Sequence, residues 1–592
     1  MAAPRIIVIG GGLAGLAAVI KIAEAGGSVD LFSIVPVKRS HSVCAQGGIN
    51  AAKHLKSEGD TTFKHFDDTI YGGDFLANQT PVKAMCEAAP GIIDLLDRMG
   101  VPFNRTPEGL LDFRRFGGTL YNRTAFAGAT TGQQLLYALD EQVRRHESDG
   151  KVRKYEGWEF LSAIIDSNGV ARGITALDLR TMELRSFPAD AIILATGGIG
   201  AIFGKSTNSV VCTGSAQSAV FQQGAYYANG EFIQVHPTAI PGEDKLRLMS
   251  ESARGEGGRV WVPRTPGDKR PPKQIPAAER FYFLEEWYPK YGNLVPRDIA
   301  TRAIHKVVYE EGLGLNGQPM VYLDLTHIDR ATLDRKLGGI LEIYEKFVGV
   351  DPHDEPMKIF PGMHYTMGGL WVDFNQMTNI PGIFAAGECE YQYHGANRLG
   401  ANSLVSCIFG GFVSGPNALA YARSLPAAEG DGGAAAELAR QAEINSKLLK
   451  NEGTENPFKL WRELGDVMTK HATVTRYNKG LKEADEKVVE LMERFKKVNL
   501  SDKSQWANTS FAFARQLQNM LVLARVIVQG AILRDESRGA HYKPDFPERN
   551  DEKFLKTTKA SFNPDCTGPR FELEDVDIQH IKPRPRRYDV AK

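Results

Sequence analysis

An α/β fold with an inserted α+β domain and a helical domain after it is predicted by three features of the 592-residue chain. A strand, a glycine loop, a helix and a second strand open the sequence. Two later apolar strands also run into glycine turns, and a long amphipathic stretch follows a compositionally distinct middle. Length alone calls for several domains, because one core rarely exceeds about 250–300 residues. Hydrophobic residues at 42% and charged residues at 24% are ordinary for a globular protein and exclude a disordered or fibrous chain. Lys+Arg and Asp+Glu balance at 71 each, which argues against a broad nucleic-acid surface. Glycine is the exception, with 60 residues against a usual background of about 7%.

Arg5–Ile9 reads as a short apolar strand, Gly10–Gly15 as its turn, Leu16–Ala25 as a helix and Ser28–Phe32 as the next strand. Gly10, Gly12 and Gly15 form a G-x-G-x-x-G motif between strand and helix, the setting in which it binds a dinucleotide. The first glycine permits the tight turn, the second lets backbone approach a pyrophosphate, and the third allows close helix–strand packing. The helix N-terminus adds N–H groups and a favourable dipole. An acidic residue commonly follows the second strand to hold the ribose; Ser33 stands there instead, and Asp30 comes too early. Glu388, after the strand Ile383–Ala386, is the better acidic candidate for a cofactor hydroxyl. Ala191–Ala195 is a third strand ending in glycine, so the ligand is expected at the carboxyl edge of one parallel sheet.

Pro237–Pro356 differs in composition, with Pro263–Pro276, an aromatic cluster at Phe281, Tyr282, Trp287 and Tyr288, and helix-like Asp298–Glu311. It reads as an insertion. Pro426–Gly433 reads as a linker. Beyond it, Leu481, Ala484, Val488, Leu491 and Phe495 recur at three- or four-residue spacing, the signature of an amphipathic helix. From about Ser537 the chain is rich in Pro, Asp, Arg and Lys and is expected to wrap a surface. The expected divisions are 1–235 and 356–425 for the nucleotide domain, 236–355 for the insertion, 426–540 for the helical domain and 541–592 for the tail. The six cysteines are scattered without a CxxC pair, which suits a reduced compartment and leaves no place for an iron–sulfur cluster. With the apolar run Ile6–Ile9 following directly on Met1–Pro4, no signal or transit peptide is expected. Phe511–Leu533 is the stretch nearest to a transmembrane span, but it contains Arg515 and Arg525 and reads as a helix of a soluble domain.

The segment Arg39-Ser40-His41-Ser42-Val43-Cys44-Ala45-Gln46-Gly47-Gly48, together with the glycine motif, resembles the flavoprotein subunits of succinate dehydrogenase and fumarate reductase. Further matches follow in order: His236-Pro237-Thr238, Glu251 to Gly258, Pro296-Arg297-Asp298, His364 to Gly369, Gly395 to Ser403, and Ser537 to His541. The resemblance implies a Rossmann-like FAD-binding domain with a capping domain inserted in it. It implies FAD bonded covalently through His41 and held by Gly10, Gly12, Gly15, Ser33, Ala45, Gln46, Gly47, Gly48, Glu388, Ser403 and Leu404. It also implies His236, His364 and Arg398 as a clamp on a four-carbon dicarboxylate, with Arg297 moving the proton through Glu251 and Arg254. The chemistry is consistent, because a dicarboxylate wants charge-assisted donors and an Arg fork binds a carboxylate bidentately. Arg297 is unusual in that role, since free Arg has a pKa of about 12.5–13.8, so its proton must be relayed.

By the same resemblance the expected reaction is succinate oxidation to fumarate. Electrons would pass to an iron–sulfur subunit and on to quinone through a membrane anchor with haem, at the cytoplasmic face of a bacterial inner membrane. Thr213-Gly214-Ser215 and Ala127 to Gln133 depart from the common pattern and resemble the branch with a haem-carrying anchor that often uses menaquinone. Fumarate reduction is the same site run in reverse. An RNA-binding flavoprotein scaffold is the alternative of a different class, and it predicts a basic excess that the charge balance lacks.

Overall fold

In the computed structural model, which describes residues 4–53, 58–242, 245–426, 431–565 and 568–588, the opening unit forms the centre of a five-stranded parallel sheet. Its order is Ile383–Ala385, Ala191–Leu194, Arg5–Ile9, Ser28–Ser33 and Val152–Glu156, every pair parallel. Burial on both faces explains the unbroken apolar runs of Ile6–Ile9 and Ala191–Leu194. The fingerprint helix Leu13–Glu24 packs against a long helix, Asn402–Ser424. Their backbones approach so closely that a Cβ on Gly411 would lie 2.4 Å from the Ala14 carbonyl oxygen. Met1–Ala3, residues 427–430 of the expected linker, and Cys566 lie outside the described residues.

The chain leaves this layer on the strand Ile233–Ile240 and returns on Met357–Thr366, and the two pair antiparallel with bulges. They belong to a six-stranded sheet that also takes in Val321–Asp324 and Arg259–Pro263. Trp261, Phe283, Leu284 and the helix Arg330–Val348 bury a separate apolar core there. The aromatic cluster noted in the sequence belongs to it, with Phe281, Tyr282, Trp287 and Tyr288 packed on its edge.

Helices Pro457–His471, Asn478–Phe495 and Thr509–Leu533 form the helical part. In Asn478–Phe495 the buried residues are Leu481, Ala484, Val488, Leu491 and Phe495, the same set that carries the 3.6-residue period. Asn402–Ser424 and Thr509–Leu533 are long and apolar enough to cross a membrane, but 56% and 67% of their most apolar windows are buried inside the protein. The tail is more deeply built in than a surface wrap. Lys556–Asn563 and Gly568–Asp575 form a hairpin that extends a sheet through Tyr227–Ala228, and the side chain of Arg586 beyond it is largely buried. Charge misled the sequence reading in part, because Arg538, Lys543 and Arg586 have largely buried side chains paired with Asp551, Asp535 and Asp298, whereas others such as Arg570 do face water.

Candidate active site

The strand ends converge on one cavity of about 510 Å³, lined by Gly10 to Leu13, Ser33, Ser40 to Gly48, Thr196, Gly197, Gly387 and Glu388. Its opposite wall carries His236, Glu251, Arg297, His364 and Arg398, with Ser403 and Leu404 beside them. Two residues singled out from the sequence stand outside the lining. Gly15 packs beneath the loop, where a Cβ would meet the Gly10 carbonyl oxygen at 1.9 Å, and Arg254 lies behind Glu251.

Gly10 holds the turn. Its φ is +114°, and a side chain there would strike the Ala195 carbonyl oxygen at 2.1 Å. Gly12 is the N-cap of Leu13–Glu24 and has no side chain to cap it, and Ser42 Oγ accepts the first helical N–H, that of Leu13, at 3.2 Å. Ser33 ends the second strand and is buried. The loop after it is pinned from below. Arg114 donates from Nε to the Gly47 carbonyl at 3.1 Å and from its NH2 group to the Gln46 carbonyl at 3.3 Å. Ala45 accepts from the Gly132 N–H at 2.8 Å, so the segment 127–133 supports the loop.

His41 opens a short helical turn, is half-buried and lines the cavity. Its Nδ1 accepts the Ser209 N–H at 3.2 Å, and its Nε2 meets the Asn208 amide at 3.1 Å. Burial, helped by the nearby Lys245 charge, lowers its pKa to about 4, so the imidazole is neutral. Glu388 accepts the Thr366 N–H at 3.0 Å, and burial raises its carboxyl to about 7. The residues present fit a flavin dinucleotide. A glycine cradle meets a helix N-terminus, and three buried polar atoms on this wall (Ser40 Oγ, Gln46 Oε1 and Thr196 Oγ1) have no partner among the described residues.

Antiparallel pairing builds the other wall. His236 lies opposite Gly362, which brings His364, two residues on, diagonally beside it, with ring centroids 4.9 Å apart. The Thr238 N–H donates to His236 Nδ1 at 3.2 Å, so the ring presents Nε2–H, a buried donor without a partner among the described residues. Thr207 Oγ1 lies 2.6 Å from His364 Nδ1 and fixes that ring. Burial and the surrounding guanidiniums hold both imidazoles well below their usual pKa.

Arg398 stacks its guanidinium 4.4 Å over Tyr365. Its Nε has no partner among the described residues, and burial followed by repulsion from Arg297 brings its pKa down to about 9. Pro296 caps the helix Arg297–His305 and places Arg297 at its first position. There Nε donates to Glu251 Oε2 at 2.9 Å and NH1 to Gln234 Oε1 at 3.0 Å. The other oxygen of Glu251 accepts from Arg254 at 2.7 Å, and Arg254 donates on to the Asn293 carbonyl at 2.6 Å. Burial by itself would raise the Glu251 carboxyl. Arg297 and Arg254 outweigh it, and the group is held below its usual range.

Sequence reasoning missed Gln234, Thr207, Asn208 and Arg114. Strand alternation offered a signal for the first, since Gln234 is two residues before His236. The other three join the site from far away in sequence, Thr207 and Asn208 from a loop and Arg114 from the short strand Phe113–Arg114, and local pattern carries no trace of that. The structure also divides the glycine excess. Gly10, Gly47, Gly48 and Gly197 line the cavity, whereas Gly258, Gly368, Gly369 and Gly411 make close backbone contacts elsewhere.

Residues 5–404 match the family described as FAD binding domain, and residues 461–588 match the one described as fumarate reductase flavoprotein C-term. The succinate dehydrogenase flavoprotein subunit of Bacillus subtilis is 63% identical, over 100% of both chains. The fumarate reductase flavoprotein subunit of Escherichia coli is 34% identical, over 98% of this chain and 95% of its own. A solved E. coli quinol fumarate reductase superposes with a TM-score of 0.92 at 32% identity, covering 100% of both chains.

Proposed function

The chain belongs to the flavoprotein subunits of the succinate dehydrogenase and fumarate reductase family, and on that premise we propose that it oxidises succinate to fumarate with FAD bonded through His41. One observation carries the substrate reading. His236 Nε2–H and the Arg398 guanidinium are buried donors at the cavity, with no carboxylate within salt-bridge distance of Arg398 among the described residues. Uncompensated buried cations and donors cost several kcal/mol unless a ligand answers them. A dianion with two carboxylates does so.

Succinate oxidation removes a hydride and a proton from adjacent carbons. Bound FAD supplies the two-electron acceptor; Gly10, Gly12, Ser33, Gln46, Gly47, Gly48, Glu388, Ser403 and Leu404 would hold it. His236, His364 and Arg398 bind and orient the carboxylates and keep the substrate carbons fixed. Arg297 relays the proton: as it takes one from the substrate carbon it gives one of its own N–H protons to Glu251, 2.8 Å away, and Glu251 hands a proton to Arg254 as Arg254 releases one onward. Glu251, Arg254 and Arg297 are all buried, which limits the access of water to this path. Neutral His41 offers a ring nitrogen lone pair for the covalent bond, with Asn208 and Ser209 orienting it.

The same residues serve fumarate reduction, and the potential of the electron partner sets the direction. An iron–sulfur subunit is the required one-electron partner. A haem-carrying anchor that reaches quinone at the cytoplasmic face of the inner membrane completes the proposal. An RNA-binding scaffold is disfavoured, because this cationic cluster is buried and the chain's Lys+Arg and Asp+Glu balance. The test is succinate- and fumarate-dependent turnover in the complex purified from membranes, with in-gel flavin fluorescence of the denatured chain. No flavin retained after denaturation overturns the His41 bond, and no dicarboxylate turnover overturns the reaction.

A further inference from the structure

The tail beyond the hairpin does more than cover the fold. We propose that Arg586 is a positioning residue for Arg297, acting through Asp298, Asn397 and Gln234; this rests on the reading of Arg297 as the proton carrier.

Arg586 grips Asp298 with both arms, at 2.5 Å to Oδ2 and 2.9 Å to Oδ1. The pair is buried, with side chains 6% and 1% exposed. Asp298 Oδ1 also accepts from Asn397 Nδ2 at 3.1 Å. Asn397 Oδ1 accepts from Gln234 Nε2 at 2.9 Å, and Gln234 Oε1 accepts from Arg297 NH1 at 3.0 Å. Gln234 Nε2 donates as well to the Arg398 carbonyl at 2.8 Å. One line of contacts therefore runs from the tail to the residue that moves the proton.

Polarity makes the line directional. The resting Arg297 guanidinium presents only donors, so Gln234 must turn its oxygen towards it and its NH2 towards Asn397. Asn397 must then offer oxygen to Gln234 and direct its own NH2 at an acceptor. Ionised Asp298 is that acceptor, and the Gly72 carbonyl at 3.3 Å is a second. Both amides are thus oriented by charges at the two ends. Arg586 keeps Asp298 ionised and immobile. Arg302, at 3.5 Å, makes a single longer contact with it.

The tail is held in place independently. Arg584 pairs with Asp67 at 2.7 Å, the Arg587 backbone exchanges hydrogen bonds with the Tyr71 hydroxyl, and Tyr588 packs on Tyr71 and Tyr291. Tail docking and the Arg586 contact can therefore be separated by mutation.

The experiment measures succinate oxidation with an artificial electron acceptor in the purified complex, with covalent flavin content and Tm recorded for each variant. Arg586→Gln is expected to lower kcat ten- to a hundredfold while KM for succinate changes less than threefold. Arg586→Lys should recover to within about fivefold of wild type, and Arg584→Gln should stay within twofold. Asn397→Ala combined with Arg586→Gln should lose no more than the worse single variant, because both cut the same line. If Arg586→Gln does not accumulate as a flavinylated protein, Arg586→Lys carries the test, with at least a threefold loss in kcat at unchanged KM expected. The inference is overturned by wild-type kcat in Arg586→Gln, by an equal loss in Arg584→Gln, by an effect confined to KM, or by multiplicative losses in the double variant. Wild-type complex without dicarboxylate turnover overturns the functional reading and this inference together, whereas an active wild type with an indifferent Arg586 overturns this inference alone.

Discussion

The two walls of the cavity are built in opposite ways. The glycine-loop wall comes from consecutive residues, with Gly10 to Leu13 and His41 to Gly48 each contributing an unbroken run. The donor wall is assembled from single side chains far apart in sequence; Gln234 and the Arg398 backbone it binds are separated by 164 positions. Backbone shape does the work on the first wall, and side-chain charge does it on the second. A wall of the first kind tolerates changes in surrounding side chains but not in conformation. A wall of the second kind fails at single atoms, and each failure has its own kinetic signature.

The largest effect is expected at Arg297. Arg297→Gln removes the proton carrier and one partner of buried Glu251, and kcat should fall at least about a thousandfold, roughly 4 kcal/mol in barrier. Covalent flavin and dicarboxylate binding should persist, as read by gel fluorescence and inhibitor titration; wild-type turnover would remove Arg297 from the proton path. Arg398→Ala should cost about 3–4 kcal/mol in affinity for a dicarboxylate inhibitor, because a charge-assisted bidentate donor disappears. An unchanged inhibitor Kd would break the clamp.

On the glycine wall, Gly10→Ala should destabilise the nucleotide domain by about 3 kcal/mol and reduce flavin content, since its Cβ would meet carbonyl oxygen in left-handed backbone. Thermal unfolding with a flavin assay checks this, and wild-type values would show that the turn is more adaptable than its geometry. The smallest effect is pH-linked. His65, buried against Asn402 at the start of the long helix, has its pKa lowered to about 3 by burial and the nearby Arg123 charge. Its unfolded form takes up a proton below about pH 6.5 and its native form does not, so its contribution is present above 6.5 and declines as pH falls. At pH 5 the decline is about 2 kcal/mol. His65→Gln should lessen the drop in Tm between pH 7 and pH 5, and an unaltered pH slope would contradict the assignment.

Legibility follows the same division. The parallel strands, the G-x-G-x-x-G turn and the apolar face of Asn478–Phe495 could be read directly, because each depends on residues within one or two turns of each other. The Glu251–Arg254 pair was legible for the same reason, being three residues apart on one helical turn. His236, His364 and Arg398 were reached through the family's motifs, with no local pattern to mark them as neighbours. Arg114, Thr207 and Asn208 lacked even that, and the tail's basic residues looked like solvated charge.

By itself the sequence determined what each segment could become: which strands are buried on both faces, where the chain must turn through glycine, and which side chains can donate to an anion. Tertiary structure decided which of those donors meet and which charges are buried. The antiparallel return of Met357–Thr366 onto Ile233–Ile240 sets two histidines beside each other, and the docked tail delivers Arg586 to Asp298. The physical reason is range. Backbone preference and periodicity act over a few residues, whereas the cost of burying a charge is settled only when distant segments close around it.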